Sequence, residues 1–335
     1  MTEKEYPEAR AALTAGIVCY AVWGFAPLAF QQMGKAGADA WEIMGHRAVW
    51  SVLWAGLLVL LARQGTQVWA VLKQPRTVAL LALSTALIAA NWTLFVWAVN
   101  SGRLLETSLG YYLNPLINMA AGALLFRERM DTFGKVAIAL AAVGVTVQGF
   151  ALGHLPIISL VLAFSFGAYG IIRKSIKADA QTGLFIECLF LTIPGVLYLL
   201  WLGRDGGHFF DSPMTMFWLL LAGPLTVAPL MLFSWAARRM PLSTMGFLQF
   251  LAPTISFAIG VSQGEAFTPL RAASFVFIWA GAAVFAWGAL RRLKAARAAH
   301  TECAAETVVA PMDPLGQDAF DDEDAELADP KPARP

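Results

Sequence analysis

The chain has 335 residues, of which 58% are hydrophobic and only 14% are charged. This excludes an ordinary soluble domain, in which about 25% of residues are charged. A formal net charge of +1 without a basic stripe excludes a nucleic-acid partner, and three scattered cysteines indicate neither a disulfide framework nor a metal site.

Ten apolar segments follow one another along the chain. Each is about 17 to 25 residues long, the length that crosses about 30 Å of hydrocarbon as a helix. They lie near 12–33, 40–62, 77–99, 104–125, 134–152, 155–173, 182–202, 214–237, 242–263 and 272–290. The sequence therefore predicts an all-α polytopic membrane protein with ten transmembrane helices. Residues 294–335 are rich in Ala, Pro and acidic residues and are expected to form a disordered cytoplasmic tail.

Lys and Arg are unequally distributed between alternate loops. Most of them lie in the N-terminal segment, in every second loop and after the last span. The other loops contain Lys35, Arg103, Arg204 and Arg271. Because positively charged loops stay in the cytoplasm, both termini are expected to face that side.

An internal repeat relates the two halves of the chain. Sliding the sequence on itself places LFVWAVNSG (94–102) over LFSWAARRM (232–240), and the same offset aligns Pro115 with Pro253. Each half holds five predicted spans, an odd number, so the second half enters the membrane from the opposite side. The sequence therefore predicts 5+5 inverted repeats, formed by residues 1–152 and 153–293, around a site near the membrane midplane.

Four segments resemble the drug/metabolite transporter superfamily with paired EamA-type domains, and within it the RarD branch, named for chloramphenicol sensitivity. They are WEIMGHRAVWS (41–51), NWTLFVWAVNSGRLLETSLGYYLNPL (91–116), SFGAYGIIRK (165–174) and TMGFLQFLAPTISF (244–257). The resemblance extends over about residues 10–293. It implies a multi-pass secondary transporter of the cell inner (cytoplasmic) membrane, and it does not identify the solute.

Polar residues form a stripe along the fourth span at helical spacing. They are Thr107, Tyr111, Asn114 and Asn118, and the matching positions of the second half include Gln249 and Ser256. Pro115 and Pro253 each free the carbonyl group four residues earlier, which must then face protein, water or solute. We interpret the two stripes as the lining of a central cavity. The alternative is that these side chains hydrogen-bond between packed helices.

Two ionisable residues lie within apolar segments, Arg47 beside His46 in the second span and Glu187 in the seventh. Intramembrane ions are functional by default, because an Arg near the bilayer centre costs about 2.5–3.5 kcal/mol. Nearly the same repeat offset relates Arg47 to Glu187, so we expect them to approach one another. The hypothesis is that Glu187 couples proton movement to solute movement, while Arg47 holds Glu187 or binds an anionic group. The alternative for Arg47 is an interfacial cation, and Glu42 is interpreted as an ordinary first-turn acid.

Further side chains are candidates for the solute pathway. Asn91 lies deep in the third span. Trp23 and Tyr169 are expected to form an aromatic wall of the pathway. The alternative for the glycine and aromatic patterns around Trp23 and Tyr169 is close helix packing. Glu265 is expected to have a structural role at a helix end.

Together these features predict a permease or exporter of a small organic metabolite or drug-like solute that works by alternating access. We expect no enzymatic activity, catalytic residue, metal or cofactor, since no hydrolase motif or nucleotide-binding motif occurs. The expected partners are the solute and membrane lipid, with protons and a second copy of the chain as hypotheses. A membrane-embedded hydrolase and a lipid scramblase are the alternative functions.

Overall fold

The structure is a computed structural model, and it describes residues 5–125, 131–205, 207–237, 239 and 248–309. Within these ranges the regular structure is entirely helical, which confirms the predicted all-α class. The helices are α1 (Glu5–Lys35), α2 (Ala40–Leu61), α3 (Gly65–Leu72), α4 (Pro75–Asn100), α5 (Leu104–Leu125), α6 (Thr132–Leu152), α7 (Ile157–Ser175), α8 (Ala180–Asp205), α9 (Pro213–Ala237), α10 (Leu251–Ser262) and α11 (Pro269–Val309).

Seven of the described helices are long and apolar enough to cross a membrane, namely α1, α2, α4, α6, α8, α9 and α11. Helices α7 and α10 contain shorter apolar stretches. The short helix α3 was not predicted. The protein is therefore polytopic, and the count of ten spans stays a prediction. Contacts divide the chain into one compact unit up to Ala289 and a second from Leu290 onwards, which does not test the predicted boundary at residue 152.

Several polar side chains are buried inside the helix bundle, and many large apolar side chains are exposed on its outside. Asn91 is 0% exposed and Asn114 is 1% exposed, whereas Leu60 is 74% and Phe150 is 76% exposed. In water this arrangement would be costly, because it leaves apolar surface hydrated and removes amides from solvent. It suits a chain whose outer surface is covered by lipid and whose interior must satisfy its own polar groups.

The start of α2 is set by Asp39. This N-cap residue accepts a hydrogen bond from the backbone N–H of Glu42 at 2.7 Å, which satisfies one of the unpaired donors of the first turn. The cap fixes where the helix begins and therefore how deep its side chains lie. It places Glu42 in the first turn and Arg47 in the second.

Helices α2 and α8 pack closely and run in opposite directions. A Cβ atom on Gly195 would lie 3.3 Å from the carbonyl oxygen of Gly45 and 3.2 Å from Cβ of Ala48. Further along α2, a Cβ atom on Gly56 would lie 3.3 Å from the ring of Phe185. Because increasing numbers in α2 meet decreasing numbers in α8, the two helices are antiparallel.

Glu265, in the segment after α10, stabilises the beginning of α5. Its Oε1 accepts the backbone N–H of Leu104, and its Oε2 accepts that of Leu105 at 2.9 Å. The first N–H groups of a helix have no partner within the helix and attract negative charge. This carboxylate therefore joins the α10–α11 segment to α5.

Candidate functional site

Arg47 lies where several helices converge, and its side chain is buried. Its Nε donates to Oγ1 of Thr226 on α9 at 2.7 Å. The guanidinium carbon lies 3.8 Å from the ring centre of Trp92 on α4 and 5.6 Å from that of Phe30 on α1. These contacts hold the cation inside the bundle, which excludes the alternative of a side chain extended to the membrane surface.

His46 is covered by the segment between α8 and α9. Its Nδ1 accepts a hydrogen bond from Nε1 of Trp50 at 3.2 Å, and its ring stacks on Phe209 with the ring centres 4.7 Å apart. The α8–α9 segment thus packs against the turn of α2 that carries Arg47. His46 is placed beside Arg47 as expected, and its ring is engaged in packing.

The interpretation of Glu42 as an ordinary first-turn acid needs correction. Its carboxylate is 2% exposed and accepts two hydrogen bonds from His208, one from the backbone N–H at 2.7 Å and one from Nδ1 at 2.8 Å. We refer to this as the Glu42–His208 contact. It joins the start of α2 to the α8–α9 segment. The sequence offers no specific signal for it, because His208 stands in a glycine-containing loop.

The Glu42–His208 contact should depend on pH. The hydrogen bond to Glu42 is the main cause that raises the pKa of His208 above its ordinary value, with further contributions from the charges of Glu42, Asp211 and Asp39 against the opposing effect of desolvation. A raised pKa in the folded state stabilises the fold fully below the unfolded pKa of about 6.5, and this stabilisation is lost as the pH rises through the folded value. Acidic conditions should therefore favour the contact.

We expect the melting temperature of the detergent-purified protein to exceed that of the His208→Gln variant by more at about pH 6 than at about pH 9. His154→Gln, which removes a loop histidine outside the contact, is the matched control. An equal difference between His208→Gln and the unmodified protein at both pH values would contradict the assignment.

Glu187 lies in a second buried cluster. Ser84 Oγ donates to its Oε1 at 2.7 Å, Tyr169 Oη donates to its Oε2 at 3.2 Å, and Nε of Arg173 lies 3.6 Å from Oε1. The cluster joins α4, α7 and α8. Tyr169, predicted to line the solute pathway, is therefore a hydrogen-bond donor to this carboxylate.

Arg47 and Glu187 do not form an ion pair, since the ion-pair partner of Glu187 is Arg173, so the hypothesis that Arg47 holds Glu187 is wrong. The physical reason is what each side chain reaches. Arg173 on α7 extends to 3.6 Å from the carboxylate of Glu187, whereas the guanidinium of Arg47 is held against Trp92 and Thr226.

Asn91 joins three helices. Its Nδ2 donates to the carbonyl oxygen of Leu162 and to Oγ of Ser165, both at 2.8 Å, and its Oδ1 lies 3.5 Å from Oη of Tyr111. Both of its amide donors are thus occupied within the protein. For Asn91 the structure favours interhelical hydrogen bonding, and Tyr111 is brought next to it.

Asn114 is buried in α5, the helix that contains Pro115. Its Oδ1 has no hydrogen-bond partner. Because a buried amide oxygen without a partner costs free energy, such an atom calls for an explanation. Pro115 lies inside a continuous helix. The side chain of Asn118 lies outside the part of the chain whose side chains are described.

The candidates of the second half lie mainly at the contact between α1 and α10. Ser256 Oγ donates to the carbonyl oxygen of Gly24 at 3.1 Å. Gln249 is half-buried in a turn just before α10, so Pro253 lies in the first turn of that helix, where its missing N–H removes no helical bond. Trp23 packs near Tyr20, with ring centres 5.4 Å apart. These residues form a group separate from the contacts of Arg47.

Comparisons with known proteins place this arrangement in a family. The model of the EamA-like transporter family matches residues 10–149. A protein RarD of Streptomyces exfoliatus is 40% identical over 306 residues, which cover 90% of this chain and 96% of the relative. The chain belongs to the RarD branch of the EamA-like transporter family. Protein RarD of Escherichia coli (strain K12) is 38% identical over 84% of this RarD-branch chain and 96% of its own.

Other relatives agree with membership of the RarD branch. An uncharacterized transporter of Vibrio cholerae is 39% identical over 88% of this chain and 97% of its own. A crystal structure that shares 19% identity matches 85% of this chain and 99% of its own with a TM-score of 0.55, which shows likeness of fold alone. The relatives are named as transporters, and this RarD-branch chain is accordingly a membrane transporter.

Proposed function

We propose that the protein is a secondary active transporter that moves a small organic solute across the cytoplasmic membrane by alternating access, with proton movement coupled through Glu187. The observation that carries the proposal is the placement of two buried ions. Arg47 on α2 is held by a hydroxyl group of α9, and Glu187 on α8 is held by a hydroxyl group of α4. In the predicted repeat, α8 corresponds to α2 and α4 corresponds to α9.

The helix contacts support this inverted 5+5 repeat. The predicted repeat pairs α1 with α7, α2 with α8, α4 with α9 and α5 with α10. If the members of each pair are exchanged, the α1–α9 contact becomes α7–α4 and the α1–α10 contact becomes α7–α5. The α2–α9 contact becomes α8–α4. The α2–α8 and α5–α10 contacts convert into themselves. All of these contacts occur in the protein. Such symmetry allows one sequence pattern to build two states that open to opposite sides.

Protonation of Glu187 provides the coupling. Burial favours the neutral carboxyl group, and the nearby guanidinium of Arg173 favours the carboxylate, so the two effects compete. As a carboxylate, Glu187 ties α8 to α7 through Arg173 and Tyr169. Once protonated it loses its attraction to Arg173, and the tie between α7 and α8 weakens. A proton can thereby change which helices move together.

Sealed proteoliposomes that contain the purified protein test the transport function. When a metabolite extract is supplied to the vesicles, some of its solutes should cross the vesicle membrane only if the protein is present. An uncoupler should abolish their accumulation. A facilitator would equilibrate solutes regardless of the uncoupler, a scramblase would move labelled lipid instead, and a hydrolase would form product without compartments. Any of these three results would replace the proposal.

A further inference from the structure

Arg47 is a buried cation without an ionised protein partner. Of its N–H donors only Nε–H has an acceptor among the described residues, the neutral hydroxyl of Thr226. The buried carboxylates of α2 and α8 are bound elsewhere, Glu42 to His208 and Glu187 to Arg173. No salt bridge among the described residues pairs a carboxylate with the guanidinium of Arg47, so its charge has no ionised partner there.

The charge of Arg47 persists, because a guanidinium does not deprotonate under physiological conditions. A buried charge without a counter-ion is strongly unfavourable. The ring of Trp92 offsets part of this cost, since a cation attracts the face of an aromatic ring. An anion would offset the rest.

The geometry around Arg47 leaves both Nη groups of the guanidinium without a hydrogen-bond acceptor among the described residues. Trp92 covers one face, with its ring centre 3.8 Å from Cζ, and Thr226 occupies Nε. The two Nη groups remain, side by side in a plane. This is the fork that binds both oxygens of a carboxylate.

Two buried polar atoms without hydrogen-bond partners lie one helical turn from Arg47 or from its neighbour Tyr111, one on α2 and one on α5. Ser51 lies on the same face of α2 as Arg47 and is 2% exposed, and neither its Oγ nor the Oδ1 of Asn114 has a hydrogen-bond partner. Asn114 lies one turn beyond Tyr111, whose hydroxyl is an electrostatic neighbour of Arg47. These atoms offer hydrogen bonds to the neutral part of a bound molecule. The rings of Phe30 and Trp92 offer apolar contact.

We infer that the transported solute is a small organic monoanion, whose carboxylate binds the Nη groups of Arg47 while its uncharged body lies against the aromatic rings. The inference rests on the proposed transport function and specifies its substrate class. One cation neutralises one negative charge, so a dianion would leave an excess charge within the bundle. A neutral or cationic solute would leave Arg47 without compensation.

Matched probes separate charge from shape. Benzoate, phenylacetate and 3-phenylpropionate are compared with their amides, with benzylamine and with phenyl phosphate, by thermal shift of the full-length protein in detergent and by counterflow in proteoliposomes. We expect at least one carboxylate to stabilise the protein and to drive counterflow, and its amide and benzylamine to do neither. Phenyl phosphate should bind more weakly than the carboxylate.

Variants assign the binding to the fork. Arg47→Gln should weaken carboxylate binding about 30-fold or more, as expected when one partner of a buried charge pair is removed. Arg47→Lys, which keeps the charge without the fork, should bind with intermediate affinity. The matched control is Arg103→Gln, because Arg103 also stacks on a tryptophan, Trp97 at 5.3 Å, but is exposed.

The results distinguish this inference from the function on which it rests. Transport of amides or amines in preference to carboxylates, or carboxylate binding unchanged in both Arg47 variants, would overturn the anion inference and leave the transport function standing. If neither any probe nor any solute of the metabolite extract crosses the membrane, the anion inference and the transport function are both overturned. Binding of phenyl phosphate in preference to every carboxylate would reject the monocarboxylate assignment.

Discussion

The Glu187→Gln variant is expected to fold and insert normally and to lose proton-coupled transport. Glutamine has nearly the same shape as glutamate, and its amide oxygen can still accept from Ser84 Oγ, which lies 2.7 Å from the carboxylate. It cannot take up or release a proton, so the change in attraction to Arg173 that the coupling requires no longer occurs. Proton flux and labelled-solute flux are measured in the same proteoliposomes, with a pH-sensitive dye enclosed.

The control for this variant is Asp179→Asn. Asp179 precedes the same helix, is exposed and accepts a hydrogen bond from Gln64 at 3.1 Å. Both fluxes should remain normal in this control. Full activity of Glu187→Gln with unchanged pH dependence would reject the coupling role, and loss of both fluxes in Asp179→Asn would show that the assay reports general damage.

The Arg173→Met variant is expected to be strongly destabilised at neutral pH, by about 3 kcal/mol, because it leaves a buried carboxylate without its cation. Lowering the pH should restore part of the stability, since the carboxyl group becomes neutral. The double variant Arg173→Met/Glu187→Leu should recover most of it, because replacing both members of a buried pair by apolar residues is often neutral. The free energies of unfolding of the unmodified protein, the single variant and the double variant are measured by denaturant titration in detergent.

Arg76→Met, at the exposed first turn of α4, controls for loss of a positive charge and should have little effect on stability. A double variant no more stable than Arg173→Met alone would contradict the pairing. So would an Arg173→Met variant as stable as the unmodified protein.

The helices follow from the sequence to a large extent. Apolar length predicts them well, because a span of the membrane fixes a minimum number of residues, and each of the ten predicted segments overlaps one described helix. The eight-residue helix Gly65–Leu72 was missed, since an apolar pattern that short does not distinguish a helix from a loop.

The site was predicted only in its central members. Arg47 and Glu187 stand out because charged residues within apolar runs are rare. Their partners were missed for two reasons. Thr226 and Ser84 are small hydroxyl residues of ordinary appearance, and Arg173 was counted among the cations that orient a loop.

The partner of Glu187 has a signal that could have identified it. Arg173 follows Tyr169 by four residues on α7, so both lie on one helix face and both contact Glu187. The repeat offset did not identify this partner. It relates equivalent positions of the two predicted halves and carries no information on which side chains meet.

The Glu42–His208 contact and the cap of α5 by Glu265 have a shared consequence. Each joins a residue of the first predicted half to one of the second, and the adjacent pair Gln31 and Gln263 links the same end, with Nε2 and Oε1 2.8 Å apart. The two predicted halves are thus linked at that end in the conformation described. In the predicted orientation this end faces away from the cytoplasm, so the proposed transporter would have to break these contacts to open outwards. External acid, which favours the Glu42–His208 contact, should oppose that step.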